Sequence, residues 1–353
     1  MAVTAVHVAR ADAVAAARDA RRVGRSREVR VVVVLAVLLA LATAVSLCLG
    51  QAGLTPGQVL DVLLGRGDAI SRFVVLELRG PRLASAVLVG ACLGLAGAIL
   101  QSVVRNVLAS PDVVGLTAGA SAAGVVGIVW IGLSGLALSG FVLVGTLASA
   151  LAVYLLAWRD GLSGYRFVLV GIGVAALGTA VVSYVLTRTS VTDARIALTW
   201  LTGSLNGAGG AALTTLAVAS LVAIPAALVQ GRRLAALELG DEAASALGVR
   251  AELARGLAVL TSVVLAAVAV AAAGPVAFVA LVAGPVARRL TRTGAPPLLG
   301  AALVGALVVV VSDAVAQFAV PGVVFPVGVV TGIVGAPYLL WLLARTNRAG
   351  RGG

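Results

Sequence analysis

Long apolar runs alternate along the chain with short stretches that contain charged or turn-forming residues. A transmembrane helix needs about 20 consecutive, mostly apolar residues, and most of these runs approach or exceed that length. The runs cover residues 31–50, 83–103, 113–133, 137–157, 166–187, 211–230, 256–273, 274–290, 298–319 and 325–344. This pattern predicts an all-α polytopic membrane protein with about ten transmembrane helices.

The eighth run, residues 274–290, differs from the others because it is short and contains Pro275 and Pro285. Proline removes a helical hydrogen bond and kinks or ends the helix. Irregular backbone at membrane depth is tolerated where neighbouring helices enclose it. We therefore expect a broken or tilted helix that other spans surround.

The composition also indicates a membrane protein. Hydrophobic residues make up 61% of the 353 residues and charged residues only 11%, whereas soluble domains carry about 25% charged residues. The net charge of +12 would suit nucleic acid, but the chain contains no soluble basic domain with interleaved aromatic residues to bind it. We therefore expect no nucleic-acid partner and interpret the charge as membrane topology.

Each of the 26 Lys or Arg residues is an arginine, and His7 is the only histidine. The absence of lysine excludes a Walker A phosphate loop, in which a lysine reaches the phosphates. Any ATP and Mg²⁺ would therefore be used by partner subunits, and no cofactor is expected in this chain. Cys48 and Cys92 lie far apart in separate apolar runs, so they predict neither a metal site nor a disulfide framework.

The arginines are distributed unevenly between alternate connections. With a cytoplasmic N-terminus, 20 of the 26 lie on the cytoplasmic side and 6 lie outside, in agreement with the positive-inside rule. This asymmetry predicts a basic cytoplasmic tail at residues 1–30, a transmembrane domain at 31–345 and a short cytoplasmic tail at 346–353. Both termini are then cytoplasmic.

The most charged inner connection, residues 231–255, contains a polar segment from Leu237 to Arg250. Gly240 and Gly248 would interrupt a helix there, so one or two short helices on the membrane surface are predicted. The acidic residues of the segment are Glu238, Asp241 and Glu242. They are suited to basic residues of a cytoplasmic partner, and a solvated turn is the alternative interpretation.

Asp313 is an acidic residue within the ninth run. A charge at the centre of a bilayer costs about 2.5–3.5 kcal/mol on insertion scales, so such a residue calls for a role. Either it bonds a neighbouring helix or it lies on a transport path. A single aspartate gives little support to a proton- or sodium-coupled carrier.

Arg79 and Arg82 lie at the outer mouth of the second run. A guanidinium group binds a carboxylate through two parallel hydrogen bonds, so the pair is suited to an acidic partner. Anchoring to lipid headgroups is the alternative.

Six sequence blocks occur in an order that indicates a family. They are LRGPRLASAVLVGACLGLAGAILQ, RNVLASPDVVGLTAGASAA, WLTGSLNGA, LELGDEAASALGVR, GPVAFVALVAGPVARRL and FPVGVVTGIVGAPYLLWLL. Together they resemble the permease family of ATP-binding-cassette (ABC) importers for iron-siderophores, haem and cobalamin, from about residue 30 to 345. The resemblance implies a type II ABC importer permease that pairs with a second copy or a homologous permease, with the path between the two.

The resemblance also implies roles for particular residues. The segment that matches the family's coupling helices would sit in a cleft of the ABC ATPase subunit. Its candidate residues are Glu238, Gly240, Asp241, Glu242, Ala243, Leu247 and Gly248. Arg79 and Arg82 would meet acidic residues of an extracytoplasmic siderophore-binding protein. The fifth and tenth spans and a short outer helix near Ala197–Leu205 would shape the path.

Several family positions differ in this chain. The common Asn-Pro-Leu-Ala begins at Asn106 and lacks its proline, and Asn106 and Asp313 are both candidates for the path or for structure. Some members have a third arginine just after the ninth-span aspartate, and in this chain that position is Gln317. Pro285 stands where many members have a histidine, and Val324 stands where an acidic residue is common.

The sequence therefore predicts the permease subunit of an ATP-driven importer of ferric siderophores, multi-pass in the bilayer of a bacterial cytoplasmic (inner) membrane. The stretch Phe278–Leu281 resembles the siderophore branch of the family. Cobalamin or haem is the alternative substrate, and an ion-coupled secondary transporter is the alternative class.

Overall fold

The structure, a computed structural model, describes the backbone of residues 2–50, 53–158, 164–206 and 209–349. Side chains within these ranges are described from Arg22 to Leu342 and for Ala344. His7 and three of the seven arginines of the N-terminal tail have side chains outside that part. Residues 350–353 of the predicted C-terminal tail also lie outside the described residues.

The described residues contain α-helices and no β-strand. The helices are α1 (Ala2–Cys48), α2 (Pro56–Leu63), α3 (Ala69–Arg72), α4 (Gly80–Val104), α5 (Leu116–Val126), α6 (Gly135–Ala157), α7 (Gly164–Thr187), α8 (Val191–Leu201), α9 (Gly210–Val229), α10 (Gly231–Glu238), α11 (Asp241–Ala246), α12 (Ala251–Ala273), α13 (Val279–Thr291), α14 (Leu298–Phe318) and α15 (Val327–Ala349). A π-helical segment, Phe73–Arg79, joins α3 to α4, and a second, Gly127–Ile131, continues α5. The predicted N-terminal tail continues into the first span without a break.

Seven helices in the described part are long and apolar enough to cross a membrane. They are the helices Arg22–Cys48, Ala69–Val104, Gly135–Ala157, Gly164–Thr187, Gly210–Val229, Ala251–Ala273 and Leu298–Phe318. Two shorter apolar helices, Leu116–Ile131 and Val327–Leu342, coincide with the third and tenth runs. With α13 in the eighth run, these elements confirm an all-α polytopic protein with about ten spans.

The eighth run forms the broken helix that its prolines predict. The chain is non-helical from Gly274 to Ala277, and Phe278 has a left-handed backbone with φ of 66°. The helix begins at Val279, later than the predicted residue 274, and it tolerates Pro285 inside it. Most of α13 is buried, so neighbouring helices enclose this irregular stretch.

α4 forms the centre of the bundle, between α12, α13 and α14. Of the most apolar window in Ala69–Val104, 83% is buried. Small residues permit the close approach: Gly90 lies directly against the backbone of Gly305, and Gly97 lies against Ala280, without room for a Cβ atom. Close backbone packing through small residues is the usual way in which helices associate in lipid.

Other helices form the periphery. In the most apolar windows of α1, α6, α7 and α9, between 11% and 22% of the residues are buried. Their remaining apolar side chains are exposed on this single chain. Such surfaces are stable only against lipid or against another membrane-spanning subunit.

Candidate functional site

Two short helices, α10 and α11, connect α9 to α12 at one end of the bundle. Gly240 separates them with φ of 110°, and Gly248 follows α11 with φ of 79°. Residues with a Cβ atom rarely adopt these backbone angles. One or two short helices were predicted here, and the structure contains two, separated at Gly240. Residues 231–250, for which the family resemblance implies a coupling role, are called the coupling segment below.

Asp241, the first residue of α11, binds two arginines from other parts of the chain. Arg255 of α12 donates to both of its carboxylate oxygens, at 2.8 and 2.9 Å, and Arg105, just after α4, donates at 2.8 Å. The hydrogen bond from Arg255 and then the positive charges of both arginines hold the pKa of Asp241 below its ordinary value. Arg105 also donates to the carbonyl of Leu237 at 3.0 Å. These bonds attach the coupling segment to α4 and α12.

Glu238, the last residue of α10, forms an ion pair with Arg288 of α13. The same guanidinium donates to the hydroxyl of Ser102 in α4 at 2.8 Å. Arg288 and Glu238 are both largely covered, with 27% and 18% of their side-chain areas exposed. A displacement of α10 would therefore act directly on α13 and α4.

Other residues of the coupling segment face away from the bundle. Glu242 is exposed and forms no ion pair within the described residues. Leu239 and Leu247 are 68% and 64% exposed. Ala243 is half-buried, and Gly248 is exposed. An acidic residue flanked by exposed leucines is suited to contact with another protein, and Leu239 was not among the residues singled out from the sequence.

Arg82 and Asp313 meet at the opposite end of the bundle. Two guanidinium nitrogens of Arg82 donate to the carboxylate of Asp313 at 2.8–3.1 Å, and Gln317 donates to it at 2.7 Å. Asp313 is fully buried. Of the two roles left open by the sequence, this geometry favours the structural one, which bonds α14 to α4.

The two arginines predicted to bind an acidic partner are partly occupied within the chain. Arg82 also donates to the amide oxygen of Asn206 at 2.5 Å, and 18% of its side chain is exposed. Arg79 donates to the carbonyl of Leu47 at 2.6 Å. Both guanidinium groups line a cleft of about 650 Å³ together with Glu77 and Gln317, so they face space that another molecule can enter.

Asn106 has a local structural role. It follows Arg105, whose backbone is left-handed with φ of 55°. The side-chain oxygen of Asn106 accepts a hydrogen bond from the backbone of Leu108 at 2.9 Å. This is an Asx turn, which shapes the connection between α4 and α5.

Sequence reasoning missed Asp112. Thr117 donates to its carboxylate at 2.6 Å, and the backbone N–H of Phe278, at the start of α13, also donates to it. Asp112 and Phe278 line a cavity of about 640 Å³ beside α5, α7 and α15. Asp112 immediately precedes an apolar run, so in the sequence it was indistinguishable from an ordinary boundary residue.

The short outer helix is displaced from its predicted position. It was expected near Ala197–Leu205, whereas α8 covers Val191–Leu201. Ser190 caps its start by accepting from the backbone of Asp193 at 3.1 Å. The helix ends before Gly203, whose φ of 71° turns the chain away.

Known transport proteins resemble this chain over most of its length. The model of the FecCD transport family matches residues 38–345. The ferric enterobactin transport system permease protein of Escherichia coli (strain K12) is 42% identical over 301 residues, which are 85% of this chain and 91% of the relative. The iron(3+)-hydroxamate import system permease protein of Bacillus subtilis (strain 168) is 36% identical, covering 86% and 93%.

More distant proteins share the same fold. The vitamin B12 import system permease protein of Salmonella typhi is 33% identical, with 91% of this chain and 97% of the relative covered. A solved structure described as an inward-facing conformation of a metal-chelate type ABC transporter superposes with a TM-score of 0.81 at 27% identity. The superposition covers 90% of this chain and 99% of the solved chain. These similarities confirm the resemblance that the six sequence blocks indicate, and the chain belongs to the FecCD transport family.

Proposed function

We propose that this chain is the permease subunit of an ATP-driven importer of ferric siderophores in a bacterial cytoplasmic membrane. The observation that carries the proposal is the coupling segment, which bonds the interior helices on one side and exposes Leu239, Glu242 and Leu247 on the other. Separate ABC ATPase subunits use ATP and Mg²⁺ and bind this exposed side. A second copy or a homologous permease completes the path.

The ion pairs of the coupling segment can transmit a displacement of its helices to the transmembrane helices. Asp241 holds Arg105 and Arg255, while Glu238 holds Arg288. An ATPase subunit that shifts α10 and α11 therefore pulls on α4, α12 and α13 together. Packed helices with discrete arrangements are the usual carriers of such coupling.

The arginine distribution supports the orientation. The coupling segment lies on the arginine-rich side, which is the cytoplasmic side under the positive-inside rule. Both termini are then cytoplasmic, and α8 with the Arg82–Asp313 pair lies outside.

Docking of the extracytoplasmic binding protein is proposed at Arg79 and Arg82. Both line the outer cleft of about 650 Å³, and a carboxylate that enters it can compete with Asp313 and the Leu47 carbonyl for their donors. Charge-assisted hydrogen bonds of this kind are roughly twice as strong as neutral ones.

The relatives support a ferric siderophore as substrate. Those named for ferric enterobactin and iron(3+)-hydroxamate are 42% and 36% identical, whereas the vitamin B12 relative is 33% identical. Cobalamin is therefore the alternative, as is haem within the same family resemblance. An ion-coupled carrier is disfavoured because the carboxylate of Asp313 is already bound by Arg82 and Gln317 and is not free to bind a coupling cation.

Radioiron uptake tests the proposal. A strain that lacks this gene is complemented with the wild-type chain, with Glu242→Arg, or with Glu28→Arg, which makes the same charge change on the same side but outside the coupling segment. Uptake of the host's ferric siderophore should be restored by wild type and by Glu28→Arg, and lost with Glu242→Arg. Labelled cobalamin uptake that depends on the wild-type chain, without iron uptake, would overturn the assigned substrate.

A further inference from the structure

A second cavity lies at the end of the bundle opposite the coupling segment. Helices α9 and α12 both lead from the coupling segment to this end, and the 20 residues of α9 span about 30 Å. The cavity measures about 600 Å³ and lies between α8 and the end of α12. Its polar and aromatic lining residues are Thr192, Arg195, Thr199, Trp200, Ser204 and Asn206.

One face of α8 forms a wall of this cavity. Five of its residues, from Thr192 to Trp200, recur at the spacing that places side chains on a single helical face. Ala197, on the other face, is fully buried in a cluster with Val125 and Val185. The wall is therefore held in a fixed orientation.

The base of the wall is fixed to α12. The backbone of Ser204 donates to the carbonyl of Ala273 at 2.8 Å. Gly203 lies directly against the backbone of Pro275, without room for a Cβ atom. Arg255, near the other end of α12, binds Asp241 of the coupling segment. The same helix therefore connects the cavity with the coupling segment.

Arg195 is the one charged side chain among the cavity's lining residues. It is exposed, and no carboxylate among the described residues lies within ion-pair distance of it. Asp193, the nearest acidic residue in sequence, accepts instead from the hydroxyl of Ser190 at 2.7 Å. The guanidinium of Arg195 is therefore available to a ligand.

The other polar lining groups are neutral. The hydroxyls of Thr192 and Ser204 and the amide of Asn206 are able to donate hydrogen bonds, whereas the hydroxyl of Thr199 already donates to the carbonyl of Arg195 at 2.8 Å. Trp200 also lines this wall while the edge of its ring packs against Gly124 of α5, and an aromatic side chain suits a ligand with flat, apolar parts. These groups together fit an anionic ligand that also carries apolar surface. The guanidinium of Arg195 and the neutral donors suit its charged part, and the ring of Trp200 suits its apolar part.

We infer that this cavity is the entry subsite of the transport path and that Arg195 selects ferric chelates with net negative charge. The inference rests on the proposed importer function and narrows its substrate class. An anionic chelate released by the binding protein gains an ion pair with Arg195, whereas a neutral chelate or cobalamin lacks this attraction between opposite net charges. Arg195 is thus a specificity-determining residue that contacts the substrate.

Uptake by whole cells that contain the complete transporter tests the inference. The substrates are an anionic ferric tris-catecholate, a neutral ferric trihydroxamate and cobalamin, each labelled and supplied at saturation. The variants are Arg195→Gln, Arg195→Lys and the matched control Arg188→Gln. Arg188 is exposed near the same end but lies over Tyr184, outside the cavity lining.

We expect Arg195→Gln to lower tris-catecholate uptake about tenfold, the effect of losing one hydrogen bond to a charged group, while Arg195→Lys and Arg188→Gln stay close to wild type. Equal tris-catecholate uptake by Arg195→Gln and wild type overturns the inference. Wild-type uptake restricted to neutral ferric chelates also overturns the inference but leaves the siderophore importer standing, whereas uptake restricted to cobalamin overturns both the inference and the assigned substrate. If the wild-type chain restores uptake of none of the three substrates, the proposed importer function fails first and the inference falls with it. Membrane levels of each variant, measured by immunoblot, separate transport defects from loss of protein.

Discussion

Arg82, at the start of α4, forms an ion pair with the fully buried carboxylate of Asp313 in α14. Its Nη2 and Nε atoms lie 2.8 Å and 3.0 Å from the carboxylate oxygens. The two residues are 231 positions apart in the sequence. Their ion pair joins two helices of the central bundle, and the family resemblance alone would have given Arg82 only an external partner.

The Arg82–Asp313 pair predicts that removing one partner destabilises the protein more than removing both. Arg82→Met leaves Asp313 buried without its cation, and breaking a buried pair in this way costs about 3–5 kcal/mol. The purified protein in detergent should therefore melt at a clearly lower temperature than wild type. The double variant Arg82→Met/Asp313→Leu should regain most of that loss, because no buried charge remains.

Arg72→Met is the matched control, since Arg72 is exposed near the start of the same continuous helix. It should change the melting temperature little. A loss as large in Arg72→Met as in Arg82→Met would contradict the stabilising role of the Arg82–Asp313 pair.

Asp241 predicts a pH dependence of the coupling segment. Its pKa is lowered in the folded protein, so its bonds stabilise the segment fully above the ordinary carboxyl pKa of about 3.9 and are lost as the pH falls from there through the lowered pKa. Protection of residues 240–248 from hydrogen exchange, corrected for the intrinsic exchange rate at each pH, should therefore fall below about pH 4 in wild type. Asp241→Asn should exchange faster at neutral pH and lack this step; an identical profile in both proteins would refute the prediction.

The ion pair of Glu238 and Arg288 predicts energetic coupling between α10 and α13. Glu238→Gln and Arg288→Gln should each lower ATP-dependent uptake, and the double variant should be little worse than either. Residues in contact show interaction energies of roughly 0.5–3 kcal/mol in such cycles. The measurement is initial uptake rate at equal membrane level, and strictly additive losses would show that the pair transmits nothing.

The close packing at Gly97 predicts that a larger residue at this position destabilises the protein. An added Cβ would collide with the backbone of Ala280, and overpacking of a core costs typically 1–3 kcal/mol. Gly97→Ala should therefore lower the melting temperature. Gly173→Ala, in peripheral α7 with nothing within 4 Å of the new Cβ, should leave it unchanged or slightly higher; equal losses would contradict close packing at α4.

Local sequence signals predicted much of the fold. The apolar runs correspond to helices because a backbone in lipid must satisfy its own hydrogen bonds. Gly240 and Gly248 marked the ends of short helices because both positions have positive φ. Pro275 marked the broken helix for a similarly local reason, whereas α13 continues through Pro285.

Contacts between distant residues were not accessible from the sequence. Glu238, Asp241 and Glu242 looked equivalent there, yet the first two bond inward and the third faces outward. That division depends on where Arg105 and Arg288 arrive from other helices, which no local pattern contains. Asp112 was missed for the same reason, since its partner Phe278 belongs to a distant element.

The most direct test of the account is substrate accumulation in proteoliposomes that hold the purified transporter, with its ATPase subunits, and receive the binding protein loaded with ferric siderophore. We predict accumulation that requires ATP and Mg²⁺ on the side of the coupling segment and persists when an ionophore collapses all ion gradients. Accumulation that proceeds without ATP and disappears with the ionophore would contradict it.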